Sequence, residues 1–194
     1  MKTYLKFFKK HENLLTRKLA LTITVSGLSG SGKTTVAREI AKVFKLKIIN
    51  AGDLFRKYAQ QNKMSLDKTS KSFPASIDYE IDKMTLKLAQ KGGYVIVGRL
   101  SAWVAGEWAD CRIFVQSNKK IRDERIAQRD NLSISAARIY VAERDKRDCD
   151  RYQKLYKINL KDKAVYNLTI HNNKITLLKL RKEIIQKLKD FLQK

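Results

Sequence analysis

The sequence predicts an α/β fold, a parallel sheet covered by helices on both faces, and three observations carry that expectation. Short apolar, β-branched runs alternate along the chain with segments whose apolar residues recur at helical spacing. The first such run, Leu21 to Ser26, passes through a glycine-rich turn straight into a helical pattern. The composition is globular, with 43% hydrophobic and 9% aromatic residues in 194, enough for one compact domain with a real core. There are no internal repeats.

Met1 to Ala20 sets Tyr4, Leu5, Phe7, Phe8, Leu14 and Leu15 among lysines and arginines. It reads as a basic amphipathic extension that packs on the domain, stays a loose tail, or touches RNA or a membrane surface. Leu21 to Ser26 is a buried strand, and Val36, Ala37, Ile40, Ala41 and Phe44 mark the helix after the glycine turn. Leu46 to Asn50 is a second strand. Ala51-Gly52-Asp53 is a turn, with Asp53 capping a helix through Leu54, Phe55 and Tyr58. The polar stretch Asn62 to Ser76 holds the only proline, Pro74, and reads as a mobile connection or short helix. Ile77, Ile81, Met84 and Leu88 form the apolar face of a helix stopped by Gly92-Gly93. Tyr94 to Val97 is a third strand, Leu100 to Trp108 a short helix and Cys111 to Val115 a fourth strand. Ile121 to Gln128 is helical, and Ser133 caps a long helix carrying Ile134, Ala137, Val141, Tyr152 and Leu155. Val165 to Ile170 is the last strand, and a closing helix runs from Ile175 to Phe191.

Forty-two lysines and arginines stand against nineteen acids, a net charge of +23. Binding of many phosphates, a surface facing nucleic acid, and a general preference for lysine all fit that excess. Its even spread along the chain favours the first and third, with weak nucleic-acid adhesion at low salt. Cys111 and Cys149 have no disulfide or metal-ligand spacing. No apolar run reaches membrane-spanning length, and lysines interrupt the N-terminus where a signal-peptide core would stand. A cytoplasmic enzyme is the expectation.

The chemistry concentrates in Gly27-Leu28-Ser29-Gly30-Ser31-Gly32-Lys33-Thr34-Thr35. Two glycines five apart followed by Lys-Thr, between strand and helix, are the pattern of a phosphate-binding loop. Glycines let successive backbone N–H groups turn inward around an anion, and the helix N-terminus adds partial positive charge. Lys33 reaches the β- and γ-phosphates, and the Thr34 hydroxyl holds Mg2+. Arg56 follows the second strand and Arg99 the third, so both fall at the carboxyl edge of the sheet, where α/β proteins bind ligands. Together they suit capture of another phosphate. Arg125 and Arg129 share a helical face. Arg144, Asp148 and Arg151 fall at i, i+4 and i+7, where Asp148 is placed to hold both arginines. A solvated, self-paired charged helix is the alternative for that stretch.

The glycine loop, Gly52-Asp53-Leu54-Phe55-Arg56, Gly98-Arg99, the RIAQRD segment and the ERDKRDCDRY segment stand in the order of the nucleoside monophosphate kinases. Within them the chain resembles the cytidylate kinase family in its short archaeal-type branch, from about Leu21 to the C-terminus. The resemblance implies a five-stranded parallel core, a monophosphate-binding insertion at about 53–91 and a helical lid at about 129–156. It implies ATP held by residues 27 to 35 with Arg125 on the donor side, and Asp53, Arg56 and Arg99 on the acceptor. Arg144, Asp148 and Arg151 match the family's arginine–acid–arginine lid set. The implied reaction is phosphorylation of CMP, and of dCMP, by a monomer. Leu100 stands where bacterial members carry a base-reading Asp, and Lys33 where many archaeal-type loops carry Thr.

Overall fold

Five parallel strands make one sheet in the computed structural model, which describes residues 20–61, 74–173 and 175–193. They are β1 (Thr22–Ser26), β2 (Lys47–Asn50), β3 (Tyr94–Val97), β4 (Cys111–Gln116) and β5 (Leu168–His171), in spatial order β2-β3-β1-β4-β5. Every neighbouring pair is parallel, with Thr24 of β1 between Ile96 and Arg112. The helices are α1 (Lys33–Phe44), α2 (Ala51–Gln61), α3 (Ala75–Lys91), α4 (Ser101–Ala105), α5 (Lys119–Asp130), α6 (Ile134–Tyr156) and α7 (Leu177–Leu192). A 3-10 turn at Gly106–Trp108 extends α4. Strand order reverses at β1, so the crevice beyond its carboxyl end is the ligand-binding position of such a sheet.

The sequence of β1, Thr-Ile-Thr-Val-Ser, shows how the two faces are divided. Ile23 and Val25 pack with Val36, Ile40, Val95, Ile113, Val115, Ile170, Ile184 and Leu188, a core shared with α1 and α7. The alternate residues face α3 and α4 and are small and polar. There Thr22 Oγ1 donates to the Ala89 carbonyl (3.1 Å) and Ser26 Oγ pairs with Ser101 Oγ (2.9 Å). These two partnered hydroxyls let the helices approach the sheet closely, while Thr24 Oγ1 between them is buried with no hydrogen-bond partner among the described residues. Farther out, Leu86, Leu100, Trp103, Tyr156 and Ile158 form a second core joining α3, α4 and the end of α6.

Several sequence expectations need adjusting. Asp53 is not the cap of α2: that helix begins at Ala51, where Asn50 Oδ1 accepts the Gly52 N–H (3.0 Å). Asn50 does so from the last position of β2, leaving no separate turn. Asp53 lies in the first turn instead, exposed. Met84 lies off the apolar face of α3, 40% exposed, while Leu86 and Ala89 are buried. The last strand begins at Leu168, because Val165 and Tyr166 turn into the second core. Ser133 does cap α6, accepting the Ala136 N–H (3.2 Å). The basic extension before Ala20, and Asn62 to Phe73 of the polar stretch, lie outside the described residues.

Candidate active site

The loop between β1 and α1 is shaped by glycines at positions that no side chain could share. Gly30 (φ 72°) lies so near α5 that a Cβ would sit 2.6 Å from the Arg122 carbonyl oxygen. Gly32 (φ 87°), the residue before α1, would place one 2.1 Å from Asn172 Nδ2. Both conformations are left-handed, which glycine adopts without cost. The loop is also held from outside. Asn172 Nδ2 (3.0 Å) and Ser117 Oγ (3.1 Å) donate to the Ser31 carbonyl. Arg125 Nη1 reaches the Ser31 carbonyl and Ser117 Oγ (3.3 and 3.1 Å), while Nη2 reaches Asn172 Oδ1 and the Asn173 carbonyl (3.3 and 3.2 Å). These groups take up the Ser31 carbonyl on the outer side of the loop, while inside it the Ser31 N–H turns to the Leu28 carbonyl (3.3 Å) and the Ser29 N–H to Asp145 Oδ1 (3.2 Å).

Lys33 Nζ donates to the Leu28 carbonyl (2.7 Å). Burial, reinforced by the positive charges of Arg99, Arg144 and Arg122 and opposed by Asp145, lowers its pKa to about 7. An anion in their midst would offset both burial and repulsion. Ser31 Oγ, fully buried in the loop, has no hydrogen-bond partner among the described residues. Thr34 and Thr35 open α1 with exposed side chains. A cradle closed to Cβ atoms, an orphan hydroxyl and a lysine short of negative charge fit a polyphosphate chain, and the Thr34 hydroxyl is free for a magnesium ion.

Across the crevice, Arg99 is nine-tenths buried, its guanidinium bonded to Ser29 Oγ and paired with Asp148. The sequence reading placed Asp148 between Arg144 and Arg151, and the structure corrects it. Asp148 meets Arg99, Arg151 pairs with Asp78 of α3, and Arg144 Nη1 donates to Tyr140 Oη (3.0 Å). One helical face therefore carries three side chains with three different partners, two of them on other elements. Arg129, a turn beyond Arg125, pairs with adjacent Asp130. Arg56 lies on α2, its side chain outside the described atoms.

Four participants escaped the sequence reading. Arg122 shares a face with Arg125, three residues on, and that spacing was the available signal. Asp145 follows Arg144 directly on α6, off the i, i+4, i+7 face that carries Arg144, Asp148 and Arg151. Asp78 and Asn172 carried no local mark; only the fold brings them to Arg151 and to the loop.

This architecture is that of the P-loop kinases. A shikimate kinase from Acinetobacter baumannii superposes with a TM-score of 0.60 at 13% identity, covering 94% of this chain and 97% of its own. A gluconokinase from Sinorhizobium meliloti does so at 0.55 and 15%, covering 91% and 96%. At such identities the likeness is one of fold. Sequence resolves the family: the model of the cytidylate kinase-like family matches residues 22–174. A cytidylate kinase of Pyrococcus horikoshii is 38% identical over 156 residues, 79% of this chain and 81% of that one. A cytidylate kinase of Staphylothermus marinus is 36% identical over 172 residues, 86% and 97% of the two chains. The chain belongs to the cytidylate kinase-like family.

Proposed function

We propose that this protein transfers the terminal phosphoryl group of ATP to CMP, and to dCMP, giving the diphosphates. The observation that carries the reading is the glycine cradle between β1 and α1, closed to any Cβ at Gly30 and Gly32, with Lys33 at its mouth, where burial first and then the charges of Arg99 and Arg144 lower the lysine's pKa. Phosphoryl transfer needs positioning and charge neutralisation more than covalent chemistry, and this crevice offers both. The loop amides and Lys33 bind the donor phosphates, with Arg125 bracing the loop from the donor side. Arg99, with Arg56 and the Asp53 turn of α2, binds the acceptor. Arg144 and Arg151 close over the moving group, and Asp148 holds Arg99. The Thr34 hydroxyl holds Mg2+, which supplies charge neutralisation between the phosphates.

The acceptor is a phosphate oxygen already ionised at neutral pH, so the reaction requires no general base. Closure of α6 excludes water, which would otherwise compete as acceptor. The segments 53–91 and 129–156 act as monophosphate-binding unit and lid. The protein acts as a monomer, and the cytoplasm supplies both nucleotides. Among the described residues, no helix is long and apolar enough to cross a membrane. The charge of +23 favours weak, salt-sensitive nucleic-acid adhesion beside the catalytic role.

The test is ADP release from ATP and Mg2+ with CMP, dCMP, UMP or AMP in turn. Release selective for the cytidine nucleotides is the expected result. Selectivity for AMP or UMP would reassign the acceptor, and no acceptor-dependent release would overturn the reading.

A further inference from the structure

Arg122 has no part in the roles assigned above, yet it lies directly against the phosphate loop. Only 7% of it is exposed, and its backbone abuts the loop so closely that Gly30 cannot carry a Cβ. Its Nη1 donates to the Ser29 carbonyl (3.0 Å) and to Asp145 Oδ2 (2.6 Å). The other oxygen of that carboxylate, Oδ1, accepts the Ser29 N–H (3.2 Å) and lies 3.6 Å from Arg99 Nη2. One carboxylate is thus held by a loop amide and two guanidiniums, a donor set that also suits a phosphoryl group.

The two partners differ in their freedom to move. Arg122 belongs to α5, buried against the loop. Asp145 belongs to α6, the long charged helix, which buries only Ala137, Val141 and Tyr156. The carboxylate can therefore leave with its helix while the guanidinium stays. A phosphoryl group brings more oxygens and more charge to the same donors, so exchange favours the nucleotide. Both groups act on Lys33 in opposite senses, which places them within its field.

We propose that Arg122 is a further binding residue for the triphosphate chain of the donor, and that Asp145 is a resident anion occupying its place until that chain arrives. The inference rests on the crevice being a phosphoryl-transfer site, as read above. It differs from a purely structural role for the pair in the sign of one effect. If Asp145 competes with phosphate, removing its charge tightens phosphate binding. If the pair merely clamps the loop, removing it loosens the loop and weakens binding.

The test titrates the full-length protein with inorganic tripolyphosphate by calorimetry at fixed ionic strength. Asp145→Asn is compared with Asp150→Asn, an exposed acid on the same helix that controls for net charge. The expected result is binding about tenfold tighter in Asp145→Asn than in Asp150→Asn. That gain should disappear when Arg122→Lys is added, since a lysine cannot span the loop carbonyl and the phosphate together. Equal or weaker binding in Asp145→Asn overturns the inference, as does a gain that survives Arg122→Lys. Wild-type binding without the Asp145→Asn gain leaves the kinase reading intact. A wild type that does not bind tripolyphosphate at all removes that reading and the inference with it.

Discussion

The floor of the crevice and the arm above it are built from different materials. The floor is backbone: a loop turned at Gly27, Gly30 and Gly32, its Ser31 carbonyl satisfied from behind by Arg125, Asn172 and Ser117. The arm, α6, is anchored at its C-terminal end by Tyr152, Leu155 and Tyr156 in the second core, and elsewhere is held mainly by side-chain charge. It meets α5 through a small apolar contact of Ile126, Ala127, Ala137 and Val141. Across the crevice it relies on Arg151–Asp78, Asp148–Arg99 and Asp145–Arg122. Backbone amides held by a packed sheet keep their direction when one anion replaces another, and the Ser29 N–H already holds the Asp145 carboxylate. Ion pairs between elements can be exchanged for pairs with a substrate, which suits a part that must open and close. In the proposed reaction the difference places rigidity with the loop that binds and keeps it away from the helix that closes.

Lys33→Ala tests the floor and should have the largest effect. Turnover should fall on the order of a hundredfold, because the lost charge faces oxygens that change charge during transfer. The melting temperature should hold or rise, since the variant no longer buries a reluctant ammonium. Turnover near wild type would remove the loop from catalysis.

Arg151→Ala tests the arm. Turnover should drop about tenfold, and stability should fall by about 1 kcal/mol because Asp78 loses its partner in a mostly buried place. A large stability loss with unchanged turnover would make α6 a strut instead of a lid, and paired melting and kinetic measurements separate the two.

Smaller effects sharpen the contrast through pH. Asp82, at the anchored end of the arm, accepts a hydrogen bond from Tyr156 Oη (2.5 Å). Burial pushes its pKa up to about 7, the Tyr156 bond opposing and Asp78 adding. The folded protein then keeps a proton that the unfolded chain releases near pH 4, so this group makes stability fall as pH rises from about 4 to 7. Asp82→Asn lacks that slope. Its melting temperature relative to wild type should climb across that window and level off above it; a constant difference would refute the assignment.

Lys33 gives the smallest signal. With a pKa near 7 it is largely neutral at pH 8, and tripolyphosphate should restore its charge. Binding at pH 8 should therefore take up roughly one proton, read as a dependence of the calorimetric heat on buffer ionisation enthalpy. No dependence would mean that the lysine is already charged in the free protein.

The sequence by itself determined the parallel sheet, the glycine loop between β1 and α1, the Ser133 cap and the family. Each of these is written in neighbouring residues: strand, glycines, lysine and helix follow one another in fifteen positions, and their geometry is that of the backbone. It singled out Arg99 and the arginines of α6 as candidates, since they fall at a strand end and at helical spacing. Only the tertiary structure decided their partners. Asp148 stands between Arg144 and Arg151 in the helical repeat, yet meets Arg99; Arg151 reaches back 73 residues to Asp78, and Asp145 reaches 116 to Ser29. A helix fixes which side chains share a face but not what faces them. Long charged side chains pair with whatever the packing of other elements presents, and that packing is set by the cores between α1, α3, α4, α7 and the sheet.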